Sequence, residues 1–94
     1  MITLRKRRRL EIGTLVVTSG TMCQIQSGDA LACLTRHARG DYGDVSDQSW
    51  QANEEALETG GRIHSSYCDR DGNRFFIITE ADRSATTILL LDEY

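Results

Sequence analysis

The stretch "RIHSSYCDRDGNRFFIITEADRSATTILLL", residues 62–91, contains three strand-like runs separated by two polar connections. The runs are rich in β-branched and aromatic residues, which favour strands. Asp71 followed by Gly72 is typical of a tight hairpin turn, and it lies between the first two runs. The segment therefore predicts a three-stranded antiparallel meander near the end of the sequence.

The preceding residues predict one further strand and then helices. "EIGTLVVT", residues 11–18, has strand composition, and "TMCQIQ", residues 21–26, is compatible with one helical turn. Residues 27–40 predict a helix with Ser27 as its cap and with Leu31, Leu34 and Ala38 on one inward face. Gly40 is the expected end of this helix.

A second helix is predicted from Ser46 to the glycines at 60 and 61. Ser46 is the expected N-cap, and Val45 and Trp50 have the spacing of a hydrophobic staple. Asn53 falls on the inward face, where a buried amide must be hydrogen-bonded, so we expect it to tie a loop or strand to the helix. The order of elements predicts an α+β domain, with an antiparallel sheet of about four strands and helices on one face.

Charge divides the chain into a basic arm and an acidic body. The arm occupies residues 1–10, with its positive charges at Arg5, Lys6, Arg7, Arg8 and Arg9, and we expect it to be flexible. Residues 11–94 are the predicted single domain, and they contain six arginines against fourteen acids, a net charge of −8. The body should repel nucleic acid, whereas the arm is able to contact phosphate.

"TEADRSATT", residues 79–87, is an unusually polar connection between two apolar runs. Its side chains are sufficient to close a turn, and Glu80 and Arg83 have the spacing of a pair. A guanidinium held by acids would also anchor the neighbouring "GDYGD" loop, residues 40–44. We therefore expect Arg83 to lock the connection to that loop, and we treat a recognition patch as the second interpretation.

A metal-dependent enzyme is an alternative hypothesis. His37, Asp41 and Asp44 lie within "HARGDYGD", and the fold would have to add Glu80 or Asp82 to complete a ligand set. Turn and capping roles explain the same residues without a ligand. We expect no metal, no cofactor and no catalytic residue, and the three cysteines, which form no CxxC pair, indicate reduced thiols in a cytoplasmic protein.

The C-terminal part of the chain, from about His37 to Tyr94, contains three characteristic stretches: "RHARGDYGD", which begins at Arg36, "NEEALETGGRIHSSY" and "IITEADRSATTILLLDEY". In these stretches the chain resembles a family of small proteins borne on plasmids, phages and genomic islands, which are often labelled plasmid-related or as parts of type I restriction systems. The chain is too short for a methyltransferase and lacks a glycine-rich cofactor loop. The resemblance implies an accessory protein of a mobile element and no reaction.

The function that these observations predict is non-enzymatic binding. We expect a protein that inhibits or modulates a host defence system, of the anti-CRISPR or anti-restriction type, by occupying a basic channel with acidic side chains. The expected contacts are Asp41, Tyr42, Asp44, Asp47, Glu54, Glu55, Glu58, Glu80, Asp82 and Arg83, with Tyr42 as the aromatic anchor. Two alternatives stay open: the metal-dependent enzyme, and a nucleic-acid-binding regulator that uses residues 5–9. No membrane partner is expected.

Overall fold

The computed structural model describes residues 10–94, which form four strands, three α-helices and a final 3₁₀ turn. The elements follow one another as β1 (Thr14–Val17), α1 (Ser19–Gln24), α2 (Ser27–Ala38), α3 (Asp47–Thr59), β2 (Ile63–Cys68), β3 (Arg74–Thr79) and β4 (Ala85–Leu90), and the 3₁₀ turn is Leu91–Glu93. The predicted α+β class, the four strands and their order along the chain are confirmed.

The four strands form one sheet in the order β1-β4-β3-β2. β2, β3 and β4 are the predicted antiparallel meander, with Tyr67 opposite Phe75 and Ile77 opposite Ile88. β1 differs from the prediction because it pairs parallel with β4, in register from Thr14 with Ala85 to Val17 with Ile88. A parallel partner needs a long crossover, and the helices and the meander between β1 and β4 provide it.

The helices cover one face of the sheet. Side chains that alternate along the strands meet α1 and α2 in one cluster: Ile25, Cys33, Leu34, Tyr67, Phe75, Ile77, Ile88 and Leu90. A second cluster joins α3 to the start of β2 through Leu10, Tyr42, Ala56 and Ile63, with Val45, Trp50 and Leu57 packed against it. On the opposite face the rings of His64, Phe76 and the final residue Tyr94 contact one another, with centroids 4.7 to 5.4 Å apart.

Three details correct the sequence prediction. The N-cap of α2 is Gln26, which makes no side-chain capping bond, and Ser27 is the first residue of the helix. Leu10, which we assigned to the basic arm, is only 7% exposed and belongs to the second core cluster, so the folded domain includes it. Leu31, which we assigned to the inward face of α2, is 65% exposed. The buried face of α2 is instead formed by Cys33, Leu34 and His37, because the helix is rotated so that His37 points into the sheet.

Candidate protein-binding surface

Helix α3 supplies the densest group of predicted contact residues. It begins as predicted, because the Ser46 hydroxyl accepts a hydrogen bond from the Ser49 N–H at 3.1 Å, and it ends at Gly60 with φ of +86°. Asn53 and Ala56 are buried against the rest of the domain, with Trp50 and Leu57 half-buried beside them. All the acidic side chains of the helix therefore lie on its outer, solvent-exposed face.

Asp47, Glu54, Glu55 and Glu58 are all exposed. Asp47, Glu54 and Glu58 are seven and four residues apart and therefore lie in one row along the helix, with Glu55 beside it. The row is about 16 Å long at 1.5 Å per residue. The sequence of α3, "DQSWQANEEALET", contains no lysine or arginine, so the row has uniform sign.

The "GDYGD" loop lies directly before α3 and is held by two ion pairs. Arg36 contacts both oxygens of Asp41, at 2.9 and 3.3 Å, and Arg74 contacts Asp44 at 2.8 Å. The Tyr67 hydroxyl donates to the carbonyl oxygen of Asp41 at 2.6 Å. The Asp44 side chain nevertheless remains 76% exposed, so it is accessible beside the N-terminus of α3.

Tyr42 corrects our expectation of an aromatic anchor. Its side chain is completely buried, and its ring packs edge-on against Trp50 with centroids 5.1 Å apart. The ring therefore stabilises the junction of the loop and α3, and it is not offered to a partner. The sequence around Tyr42 is polar on both sides, and it does not indicate whether the ring is buried in the core or exposed to a partner.

Arg83 forms a lock, but not the one we predicted. Its guanidinium donates to the carbonyl oxygens of Gly61, at 2.5 Å, and Ala56, at 2.9 Å, and more weakly to that of Glu80. These contacts join the β3–β4 connection to the C-terminal end of α3, and they involve carbonyl groups in place of acids. The "GDYGD" loop is anchored independently by Arg36 and Arg74.

Glu80 and Asp82 are exposed in the connection that Arg83 holds against α3. The Asp82 carboxylate accepts a hydrogen bond from the Ser84 N–H at 2.9 Å, and hydrogen bonds from Ser84 lower its pKa. Asp44 therefore lies before the start of α3, the row follows its outer face, and Glu80 and Asp82 lie in the connection that contacts its C-terminal end through Arg83.

The alternative metal cluster is not assembled. His37 is 0% exposed and both of its ring nitrogens are hydrogen-bonded, Nδ1 to Ser65 at 2.5 Å and Nε2 to Thr79 at 2.8 Å. Asp41 and Asp44 face arginines, and Glu80 and Asp82 lie in the β3–β4 connection. Within residues 10–94 no group of three or more histidine, cysteine, aspartate or glutamate side chains is arranged to hold a metal ion.

The hydrogen bonds around His37 define its protonation state. The Thr86 hydroxyl donates to the Ile12 carbonyl at 2.7 Å, so its oxygen accepts from Thr79. The Thr79 oxygen then accepts from Nε2–H of His37. Burial, assisted by the charge of His64, lowers the pKa of His37 to about 4, so the ring is neutral near pH 7 and Nδ1 accepts from the Ser65 hydroxyl. This pairing resembles a nucleophile and its base, but Ser65 is fully buried and inaccessible to a substrate.

Ser65, Thr79 and Thr86 are residues that sequence reasoning missed. Each lies within a strand and is 0% exposed, at a buried position where an apolar side chain is usual. The sequence did contain an indication of these residues in "SS", "IIT" and "ATT". A hydroxyl side chain at an inward-facing position of a strand requires a buried hydrogen-bond partner. By contrast, the predicted tie at Asn53 is confirmed, since its amide bonds to both backbone groups of His64.

Comparison with protein-family models, with curated proteins and with solved structures found no significant match to this chain. The resemblance to mobile-element proteins therefore stays a prediction.

Two further predictions concern the arm and the membrane. Arg5, Lys6, Arg7, Arg8 and Arg9, the predicted nucleic-acid contacts, lie outside the described residues. Among residues 10–94, none of the helices has the length and apolar character needed to cross a membrane.

Proposed function

We propose that this chain is a non-enzymatic binding protein of a mobile genetic element, which inhibits or modulates a host defence assembly through an acidic docking surface. That surface is formed by Asp47, Glu54, Glu55 and Glu58 of α3, with Asp44, Glu80 and Asp82 at the two ends of the helix. The observation that carries the proposal is the row of exposed carboxylates on a helix that has no basic residue.

The partner that fits this surface is a protein with a basic, concave nucleic-acid site. Complementary charge steers association and fixes orientation, and it discriminates against partners that carry negative charge. The body has a net charge of −8, so it would favour a basic protein and repel nucleic acid itself. Restriction enzymes and CRISPR effectors are host defence assemblies with such sites, and the resemblance to mobile-element proteins is the reason for naming this class.

Rigidity of the surface supports the same proposal. Trp50, Asn53 and Ala56 fix the inner face of α3, and the loops at its two ends are held by the Arg74–Asp44 pair and by Arg83. Preorganised charges lose little conformational entropy when they bind. The backbone positions from which these acids project would therefore be presented to a partner in one arrangement.

The test compares two variants with equal change in charge. Glu54, Glu55 and Glu58 are reversed to lysine in the first, and the exposed acids Glu11, Asp71 and Asp92 in the matched control. Each protein is expressed as tagged bait in a host that carries a restriction or CRISPR system, and is recovered with and without nuclease treatment. Partners are identified by mass spectrometry, and plasmid transformation efficiency measures defence in the same cells.

We expect the wild type and the control to recover a defence assembly after nuclease treatment and to raise transformation efficiency. The α3 variant should lose both effects, since its row has the wrong sign. Equal recovery by the α3 variant would exclude charge mimicry. Recovery that depends on nucleic acid and is lost on deletion of residues 1–9 would favour the nucleic-acid-binding regulator instead.

A further inference from the structure

The two edge strands of the sheet, β2 and β1, differ in whether their outward backbone groups are hydrogen-bonded. At β2, the outward N–H and C=O groups of His64 both bond to the side chain of Asn53. The outward N–H of Ser66 bonds to the Tyr42 carbonyl at 3.0 Å, and its C=O accepts from the Asp44 N–H at 2.7 Å. The β2 edge is therefore covered by α3 and the "GDYGD" loop.

The β1 edge is open in the part of the chain that the structure describes. Thr14 donates to Ser84 at 3.0 Å and Thr18 donates to Ile88 at 3.1 Å, which fixes the parallel ladder between β1 and β4. In such a ladder alternate residues bond to the neighbouring strand, so the N–H and C=O groups of Leu15 and Val17 point away from β4. An edge of this kind is a template for a further strand.

Apolar side chains surround this open edge. Leu15 and Val16 are 43% and 44% exposed, and Met22 of α1 and Leu31 of α2 are 71% and 65% exposed. Leu15, Met22 and Leu31 line a groove of about 720 Å³ between β1 and the two helices. Residues 12–28, which include β1, α1 and the start of α2, contain no charged side chain.

We propose that the β1 edge binds the β1 edge of a second copy of this chain, giving a two-fold symmetric dimer with one continuous eight-stranded sheet. Two acidic bodies of net charge −8 repel each other, so contact between them is least unfavourable where neither body contributes an acid. At the β1 edge the stretch 12–28 contributes none, and the Glu93 carboxylate, which accepts from the Thr18 hydroxyl at 2.8 Å, lies beyond the end of β1. This dimer is independent of the proposed acidic docking surface, since α3 lies at the opposite edge of the sheet.

Backbone geometry selects one register for the pairing. Only Leu15 and Val17 direct both of their backbone groups outward from β1, so an antiparallel pair places Leu15 of one copy opposite Val17 of the other. The axis passes through Val16, and the pairing forms four backbone hydrogen bonds. An axis perpendicular to the sheet keeps all helices on the same face, so Met22 and Leu31 of both copies extend the contact over the groove.

The first experiment is sedimentation velocity of the full chain from about 1 to 200 μM, a range that spans typical affinities of small interfaces. We expect a species of twice the 10.5 kDa mass. Val16→Lys should raise the dimer dissociation constant at least tenfold, because it places two like charges opposite each other at the axis. Gln51→Lys, on an exposed position of α3, has the same charge change and should leave the dimer unchanged.

Amide hydrogen exchange locates the contact. The N–H groups of Leu15 and Val17 should become protected as concentration rises, while those of Thr14 and Val16 are protected throughout. A chain that stays monomeric at 200 μM overturns the proposal. So does a dimer whose Leu15 and Val17 amides exchange freely, or protection of these amides that is independent of concentration. A dimer that dissociates as salt is raised is also contrary to it, because an uncharged contact between acidic bodies should strengthen.

Discussion

Asn53 serves His64 as a substitute for a neighbouring strand. Its side-chain oxygen accepts from the His64 N–H at 3.1 Å, and its side-chain nitrogen donates to the His64 carbonyl at 2.9 Å. One amide thus satisfies both outward backbone groups of an edge residue and joins α3 to the sheet. The orientation of the acidic row on the other side of α3 depends on this contact.

Replacing Asn53 should therefore destabilise the domain. Asn53→Ala leaves two partly buried backbone groups without a protein partner, and we expect a loss of about 2–3 kcal/mol in the free energy of unfolding. Asn53→Asp should cost more, because a carboxylate then faces the His64 carbonyl. Urea denaturation followed by circular dichroism measures both. Gln51→Ala, on the exposed side of the same helix, should change stability by less than about 0.5 kcal/mol, and equal effects at the two positions would contradict the role of Asn53.

His37 makes stability depend on pH. Its folded pKa of about 4 lies below the ordinary 6.5, so the unfolded state binds the additional proton between these values. The free energy of unfolding therefore falls as pH decreases from 6.5 to 4, by a total on the order of 3 kcal/mol. His37→Gln is the comparison, since glutamine does not titrate. Denaturant midpoints measured at intervals from pH 7 to pH 4 should fall more steeply for the wild type, and parallel curves would show that His37 does not carry the dependence.

Arg83 combines hydrogen bonds with a left-handed backbone, φ of +62°. Arg83→Ala loses the bonds to Ala56 and Gly61 and keeps the unfavourable conformation, so we expect a cost of about 2–3 kcal/mol. Arg83→Gly loses the same bonds but adopts positive φ readily, and it should be about 1 kcal/mol more stable than the alanine variant. Thermal and urea unfolding of the pair measures the difference. Identical stabilities would mean that the backbone conformation contributes nothing.

Gly43 is required by a close contact as well as by its φ of +72°. A Cβ at this position would collide with the Ser66 carbonyl oxygen and lie 2.6 Å from the Tyr67 ring. Gly60 has a similar φ of +86° but open space around it. We therefore expect Gly43→Ala to cost at least about 1 kcal/mol more in unfolding free energy than Gly60→Ala, which measures the conformational term alone. Chemical denaturation of both variants is the test, and equal costs would exclude the close approach.

Local chemistry in the sequence predicted the elements of the fold. The composition of the strands, the Asp71–Gly72 turn, the Ser46 cap and the Val45–Trp50 staple depend on residues that are near each other in the chain. The structure confirms the strands, the turn and the cap, it packs Val45 and Trp50 against the same core cluster, and it confirms that Asn53 ties α3 to a strand. Patterns of this kind can be read from the sequence because the local preferences of a natural sequence agree with its fold.

Partners that are distant in sequence were decided by the tertiary structure. Whether Tyr42 is exposed or buried depends on Trp50 and the core around it, and the acceptors of Arg83 are the carbonyls at the end of α3, 22 and 27 residues away. His37 meets Ser65 and Thr79 only because α2 crosses the sheet at that point.

The sequence by itself determined the α+β class, the meander, the capped acidic helix and the charge of the body. Only the tertiary structure decided that β1 lies parallel to β4, at an edge that is open within residues 10–94, while β2 is covered by α3 and the loop before it. The physical reason is that secondary structure follows from local propensity, whereas the neighbour of each strand is chosen by packing of the whole chain. The exposed acidic row on α3 and the unpaired edge of β1 among residues 10–94 therefore follow from the tertiary structure and not from the local sequence.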